Sequence, residues 1–200
     1  MNIAIDIDDT IYFLSKRIDR AVQRYLKDLR LNYKPIKTKY YLTERYPDLV
    51  LDNHFTFYMH CLINSLYNRK MKRSVKKALL EIMKNNKVYF MTNRSKTYLE
   101  NPYGFTFYWL CKYLGVLNSN NLYVDVKDKG SLCEELGCTI LIDNDRNILN
   151  KAKGKVKYRI NLKDSHTIHE QNIDSNGCIT MTTWKQITHF INWLSKREEM

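Results

Sequence analysis

The sequence has little of what breaks or loosens a chain. Six glycines and three prolines in 200 residues leave no room for long flexible linkers between domains. No segment repeats and none is of low complexity, which excludes solenoid and array architectures. No apolar run approaches the ~18 residues of a membrane span, so no membrane partner is expected. The start, Met-Asn-Ile-Ala-Ile-Asp-Ile-Asp-Asp, lacks the basic residues and long apolar stretch of a secretory signal. A soluble, cytoplasmic protein is the expectation. The five cysteines, Cys61, Cys111, Cys133, Cys138 and Cys178, include no Cys-x-x-Cys pair, which leaves a zinc ribbon without support. Cys61, Cys111 and Cys133 sit among apolar residues of helical pattern and are expected to be reduced and packed.

What is present is apolar residue enough for a core, and charge of one sign. Hydrophobic residues make up 44% of the chain, as in one packed domain or a core domain with a small insert. Formal net charge is +12. That suits phosphate-rich partners, small nucleotides or nucleic acid, although a lysine-rich solvated surface gives the same total.

Ile3, Ala4, Ile5 and Ile7 mark a short buried strand that ends in carboxylates. Leu14, Ile18, Val22, Tyr25, Leu26 and Leu29 recur at helical spacing, predicting a helix over about 14–30. Residues 31–52 are irregular and rich in tyrosine, and 57–66 read as another helix. Ser74 is placed to cap a helix that Asn85-Asn86 ends. Val88–Met91 reads as a strand, Pro102 opens a helix that Gly115 stops, and Leu122–Val124 is a short strand. A short helix over 129–136, strands over 139–142 and 156–160, and a terminal helix over 184–194 follow. From residue 74 onward strand and helix alternate. That predicts an α/β, Rossmann-like, three-layer parallel sheet, with residues 1–12 and 74–200 as its core. The helical stretch 13–73 interrupts the rhythm after the first strand. It reads as a small helical cap inserted over the carboxyl ends of the strands, where such sheets bind ligands.

The sharpest feature is Asp6-Ile7-Asp8-Asp9-Thr10, directly after the first strand. In extended chain, residues two apart point the same way, so Asp6 and Asp8 face one pocket and Ile7 faces the core. Two carboxylates so placed repel unless something positive sits between them. A hard divalent ion, magnesium where phosphate is handled, is the natural partner. An acidic turn with no cation is the costly alternative.

Asp-x-Asp-x-Thr after an N-terminal strand resembles the first motif of the haloacid dehalogenase superfamily of phosphotransferases. The resemblance implies that Asp6 attacks phosphorus to give an aspartyl phosphate, and that Asp8 is the acid/base. It also implies three further motifs, in order, at strand ends. Thr92-Asn93-Arg94 matches the second, with Thr92 and the adjoining residues binding the phosphoryl group. A lysine that offsets the charge of Asp6 and the phosphate is the third. Lys127 and Lys129 both qualify, and Lys129 is preferred because it opens Lys-Gly-Ser-Leu-Cys-Glu-Glu-Leu-Gly. Asp143-Asn144-Asp145 matches the fourth, where nucleotidase-like members carry two adjacent acids. The departure at Asn144 leaves the third metal ligand open among Asp143, Asn144 and Asp145, with Asp143 first and Asn144 next.

The implied metal set is Asp6, Asp8, Asp143 and Asn144. The helical insert and the Thr-Trp-Lys-Gln-Ile tail resemble the 5′(3′)-deoxyribonucleotidase-like branch. That resemblance implies a magnesium-dependent phosphate monoester hydrolase acting on a small phosphorylated substrate, a nucleotide. The alternatives are a polynucleotide end-phosphatase, or a decayed nucleotide- or nucleic-acid-binding protein on the same fold. His166 and His169 lack a carboxylate pattern that would complete a metal site, and a polar loop is expected there. Tyr33, Tyr40, Tyr41 and Tyr46 either stack a base or pack the insert onto the core.

Overall fold

The apolar run at the start of the chain becomes the middle of a sheet. A computed structural model describes residues 1–13, 15–30, 36, 46, 70–96, 100–163 and 177–198. Strand β1 (Asn2–Asp6) pairs with β2 (Lys87–Met91) on one side and β4 (Ile140–Asp143) on the other. Beyond β2 lies β3 (Leu122–Tyr123), and beyond β4 lie β5 (Tyr158–Leu162) and β6 (Cys178–Met181). All five pairings are parallel, in the order β3-β2-β1-β4-β5-β6. This is the α/β Rossmann-like architecture expected from the sequence. The order reverses between β1 and β4, which makes their carboxyl ends the switch point where open α/β sheets form ligand crevices.

Alternation along the strands sorts the two faces. Ile3, Ile5, Val88, Phe90, Ile140, Ile142, Ile160 and Leu162 point into the larger core cluster. Helix α1 (Ser15–Asp28) adds Val22 and Leu26, and α2 (Arg73–Asn85) adds Val75, Leu79 and Ile82. Helix α3 (Pro102–Leu114) brings Trp109 and Leu110, and the last helix, α6 (Trp184–Glu198), brings Ile187 and Ile191. Each such side chain, fully buried, is worth about 1.5–3 kcal/mol.

Ala4, Tyr89, Met91 and Leu141 face the other way, against Cys133 of α4 (Lys129–Glu135) and Leu149 of α5 (Arg146–Lys151). That layer is thin: a Cβ on Gly130 would stand 2.9 Å from Ala152 Cα. Asp6 follows Ile5 and Asp143 follows Ile142, so both acids turn to the α4 face.

Local signals explain most element ends. Asn101 caps α3, its side chain accepting from Gly104 N ahead of Pro102 in the first turn, and Gly115 closes the helix with φ +90°. Helix α2 begins one residue before Ser74; its N-cap is Lys72, which makes no side-chain cap bond. The strand expected from Val156 starts at Tyr158, and Val156 is buried with Leu149 and Ala152 in the smaller cluster. Cys133 and Cys138 are buried, Cys111 and Cys178 half-buried, and all four are free thiols. Tyr46 is buried and its hydroxyl accepts from Gln23 Nε2 at 3.1 Å, a packing role. Cys61, Tyr33, Tyr40, Tyr41, His166, His169 and the helix expected at 57–66 lie outside the described residues, as does most of the 13–73 stretch. Among the described residues no helix is long and apolar enough to cross a membrane.

Candidate active site

A tight turn follows β1. Ile11 N and Tyr12 N both donate to Ile7 O, at 3.0 and 2.9 Å, and Asp9 N donates to Tyr12 O at 2.7 Å. Asp9 takes φ +62° to close it, a left-handed conformation that aspartate tolerates better than most residues. Ile7 is fully buried in the core. Asp6 and Asp8 flank it at the carboxyl edge, and each meets its own cation.

Lys129, the first residue of α4, reaches across to the strand ends. Its Nζ donates to Asp6 Oδ1 at 2.5 Å and to Asp143 Oδ2 at 2.7 Å. All three side chains are buried. The helix that delivers the lysine is capped by Asp128, which accepts from Ser131 N at 3.0 Å. Lys127, the alternative by sequence, is an exposed residue bonded to Asn93 Oδ1 at 2.9 Å and Asp125 Oδ1 at 2.7 Å. The structure therefore puts Lys129 among the carboxylates, and Lys127 and Asn93 at the rim.

Asp8 belongs to a second group. Arg94 Nη2 donates to its Oδ1 at 2.7 Å and Arg94 Nε to its Oδ2 at 2.9 Å, a two-point grip. Thr92 Oγ1 donates to the same Oδ2 at 3.0 Å. Arg94 is held in turn by Thr106 Oγ1 of α3, 3.0 Å from its Nη1. The planar fork of arginine suits this two-oxygen contact.

The fourth motif divides between roles. Asp143 Oδ1 accepts from Asp145 N at 2.8 Å. Asn144 Oδ1 accepts from Thr10 Oγ1 at 2.9 Å, tying the first and fourth motifs together. Asp145 caps α5, accepting from Asn147 N at 2.8 Å. Sequence reasoning missed Thr106, for which the sequence carries no signal. It also missed Asn161, in register with Asp143 on β5 and buried with both amide atoms unpartnered. An asparagine inside the otherwise apolar Ile-Asn-Leu was the available sign.

Burial dominates the electrostatics. It pushes Asp6 up to about 8; Lys129 opposes the shift, and Asp143 and Asp8 add to it. Burial also raises Asp143, again against Lys129. For Lys129 burial works to discharge the ammonium, but Asp143 and Asp6 outweigh it, and its pKa lies above the ordinary lysine range. The trio thus carries one buried carboxylate more than it has cations. Asp6 Oδ2 is the exposed nerve of that imbalance: it is buried and has no hydrogen-bond partner, a costly state for a carboxylate oxygen.

Two buried acids set against a single ammonium fit a further hard cation. Magnesium is commonly held by one or two carboxylates, with water and phosphate oxygens completing the octahedron. Asp6 and Asp143 supply that number. Among the described residues no group of three or more His, Cys, Asp or Glu side chains is placed to hold a metal. This agrees with the separate engagement of Asp8 by Arg94 and with asparagine at position 144.

No family model matches the chain, and no curated protein matches it. Solved structures do. A haloacid dehalogenase-like family hydrolase from Xanthomonas campestris superposes with a TM-score of 0.63 at 11% identity, over 98% of this chain and 96% of that one. A conserved haloacid dehalogenase-like protein from Agrobacterium tumefaciens gives 0.64 at 12% identity, over 97% and 98%. CbbY from Rhodobacter sphaeroides, solved with xylulose-(1,5)bisphosphate, gives 0.58 at 13%, over 92% and 94%. Identities this low speak for architecture, and the whole-length match is to one architecture: the chain has the haloacid dehalogenase-like fold.

Proposed function

We propose that the protein is a magnesium-dependent phosphate monoester hydrolase that works through an aspartyl phosphate on Asp6. The observation that carries this reading is the unpartnered Asp6 Oδ2 at the β1/β4 switch point, with Lys129 fixed on the other oxygen. An oxygen with no donor on it keeps its lone pairs for phosphorus. In the first step Asp6 Oδ2 forms a bond to phosphorus and the ester P–O bond breaks. Asp8 gives its proton to the departing alkoxide. In the second step Asp8 takes a proton from water, whose oxygen attacks phosphorus and releases inorganic phosphate and the Asp6 carboxylate.

Arg94 holds Asp8 in place, and Thr92 Oγ1, which donates to the ionised Oδ2, turns to accept when that oxygen carries the proton. Lys129 offsets charge at Asp6 and at the phosphoryl oxygens. Thr92, and Asn93 exposed at the rim, are the second-motif groups that would bind a phosphoryl oxygen. A magnesium ion held by Asp143 and by the Asp6 oxygen that does not attack, with Asn144 adjoining, would supply charge neutralisation at the phosphoryl oxygens. The assembled set favours a hydrolase over a decayed binding protein.

The substrate class is a nucleotide of the 5′-nucleotidase type, in keeping with the basic chain. A second reading, the phosphorylated end of a polynucleotide, draws on the same +12 formal charge. The test is a panel of p-nitrophenyl phosphate and deoxynucleoside monophosphates, with and without magnesium, on the native chain and on Asp6→Asn. Turnover that survives in Asp6→Asn sinks the mechanism.

A further inference from the structure

Helices α2 and α6 lie side by side on the larger core face and run in the same direction. Between them are two hollows of about 560 and 590 Å³ that share Glu81, His189 and Asn192, so they form one furrow. At 1.5 Å rise per residue the furrow is about 17 Å long. One end is lined by Lys77 and Lys185, the other by Lys84, Lys196 and Trp193. All four lysines are exposed. The acid in the lining, Glu81, accepts from Asn192 Nδ2 at 2.9 Å.

Trp193 is 44% exposed. Its ring stacks on Phe190 at 6.0 Å, and the Arg197 guanidinium lies 4.2 Å from its centroid. The near end abuts the catalytic loop. Trp184, which opens α6, donates Nε1 to Thr10 O at 3.2 Å, and Lys72, just before α2, stands 3.5 Å over the Phe13 ring.

We infer that this furrow is a docking surface for single-stranded nucleic acid, leading a strand along α2 and α6 to the carboxylate site. Lysines spaced along a groove track a phosphate backbone, and a part-exposed indole offers a base a face to stack on where the Arg197 guanidinium now lies, a cation that the phosphates can draw aside. A protein partner fits less well, because the cores of protein interfaces are depleted in lysine. The inference rests on the phosphate-ester reading and favours its second form, the phosphorylated end of a polynucleotide, over the mononucleotide. Binding in the furrow, however, is measured without turnover.

The experiment titrates the full chain into a fluorescein-labelled, unphosphorylated oligothymidylate of about ten nucleotides, read by anisotropy at several salt concentrations. With four lysine contacts, log affinity falls against log salt with a slope of about −3. Lys84→Gln with Lys196→Gln flattens the slope by about 1.4. Trp193→Ala weakens binding roughly five- to hundredfold. Lys151→Gln with Lys153→Gln, on the opposite face of the sheet, changes neither. An equal loss in that opposite-face variant overturns the inference, since binding would then follow net charge alone. So does competition by polyglutamate as strong as by oligonucleotide, which would assign the furrow to acidic protein. Loss of p-nitrophenyl phosphate turnover is a separate result. If the native chain lacks it while oligonucleotide binding shows these shifts, the hydrolase reading fails and the furrow stands.

Discussion

Arg94 grips Asp8 through two nitrogens, at 2.7 and 2.9 Å, from a position 86 residues along the chain. Arg94 itself is buried, its last nitrogen bonded to Thr106. The sequence suggested a phosphate-binding arginine; in the structure its guanidinium bonds the Asp8 carboxylate.

That difference is measurable. Arg94→Lys keeps the charge but loses the planar fork. If Arg94 acts through Asp8, kcat for p-nitrophenyl phosphate falls by about 10- to 100-fold, part of the ~10²–10⁴ that a positioned acid/base contributes. KM then stays within about twofold, since ground-state binding is untouched. A raised KM with unchanged kcat would instead put Arg94 on the substrate phosphate.

The raised Asp6 acid makes stability depend on pH and on metal together. Burial holds its folded pKa at about 8, above the ordinary aspartate value of 3.8. Stabilisation from the protonated form is therefore complete below the unfolded value and lost as pH rises through about 8. Magnesium binds the ionised form and acts in the opposite sense. Thermal melts should show a larger magnesium increment near pH 8.5 than near pH 6, approaching about 2.7 kcal/mol at a hundredfold excess over Kd. Asp6→Asn should reduce the pH slope to the part that Asp143 contributes and shrink the increment. Equal increments at both pH values would show that the ion does not engage this carboxylate.

Gly130 is where α4 and α5 touch. A Cβ there would lie 2.9 Å from Ala152 Cα and 3.2 Å from its Cβ. Gly130→Ala should cost about 1–3 kcal/mol through overpacking, read as a lower midpoint in urea. Ala152→Gly in the same chain should restore only part of this, because the closest clash is with backbone.

How far the sequence carried this fold depends on the range of each signal. Strand ends and their chemistry were legible because they are local: an apolar run, then Asp6, Thr92 or Asp143. Lys129 was separable from Lys127 by the short helix it opens, although only the fold brings it to Asp6, 123 residues away. Helix α5 was missed, being six residues long with one buried position, Leu149. Strand β6 escaped too, as an edge strand mostly half-buried or exposed, without a buried apolar run. The Arg94–Asp8 and Thr10–Asn144 contacts were illegible in principle. Each joins side chains far apart in the chain, and a single sequence carries no record of such pairs.

Asp128 stands one residue before the lysine that the site depends on, and its role is testable by pH. It caps α4 through Ser131 N and Ser131 Oγ, with Lys155 Nζ 3.3 Å away. The backbone bond is the main cause that holds its pKa down, to about 2. The sign is the reverse of Asp6: the capped carboxylate contributes stability above the unfolded value, lost as pH falls through about 2. Asp128→Ala should cost about 0.5–2 kcal/mol near neutrality, the usual worth of an N-cap. Its denaturation midpoint should converge on that of the native chain between about pH 4 and 2, as the native cap itself protonates. Asp128→Asn accepts the same backbone bond without charge, so it should recover most of the neutral-pH loss and show no such convergence. If Asp128→Asn is as damaged as Asp128→Ala at pH 7, then attraction to Lys155, rather than capping, secures the start of α4.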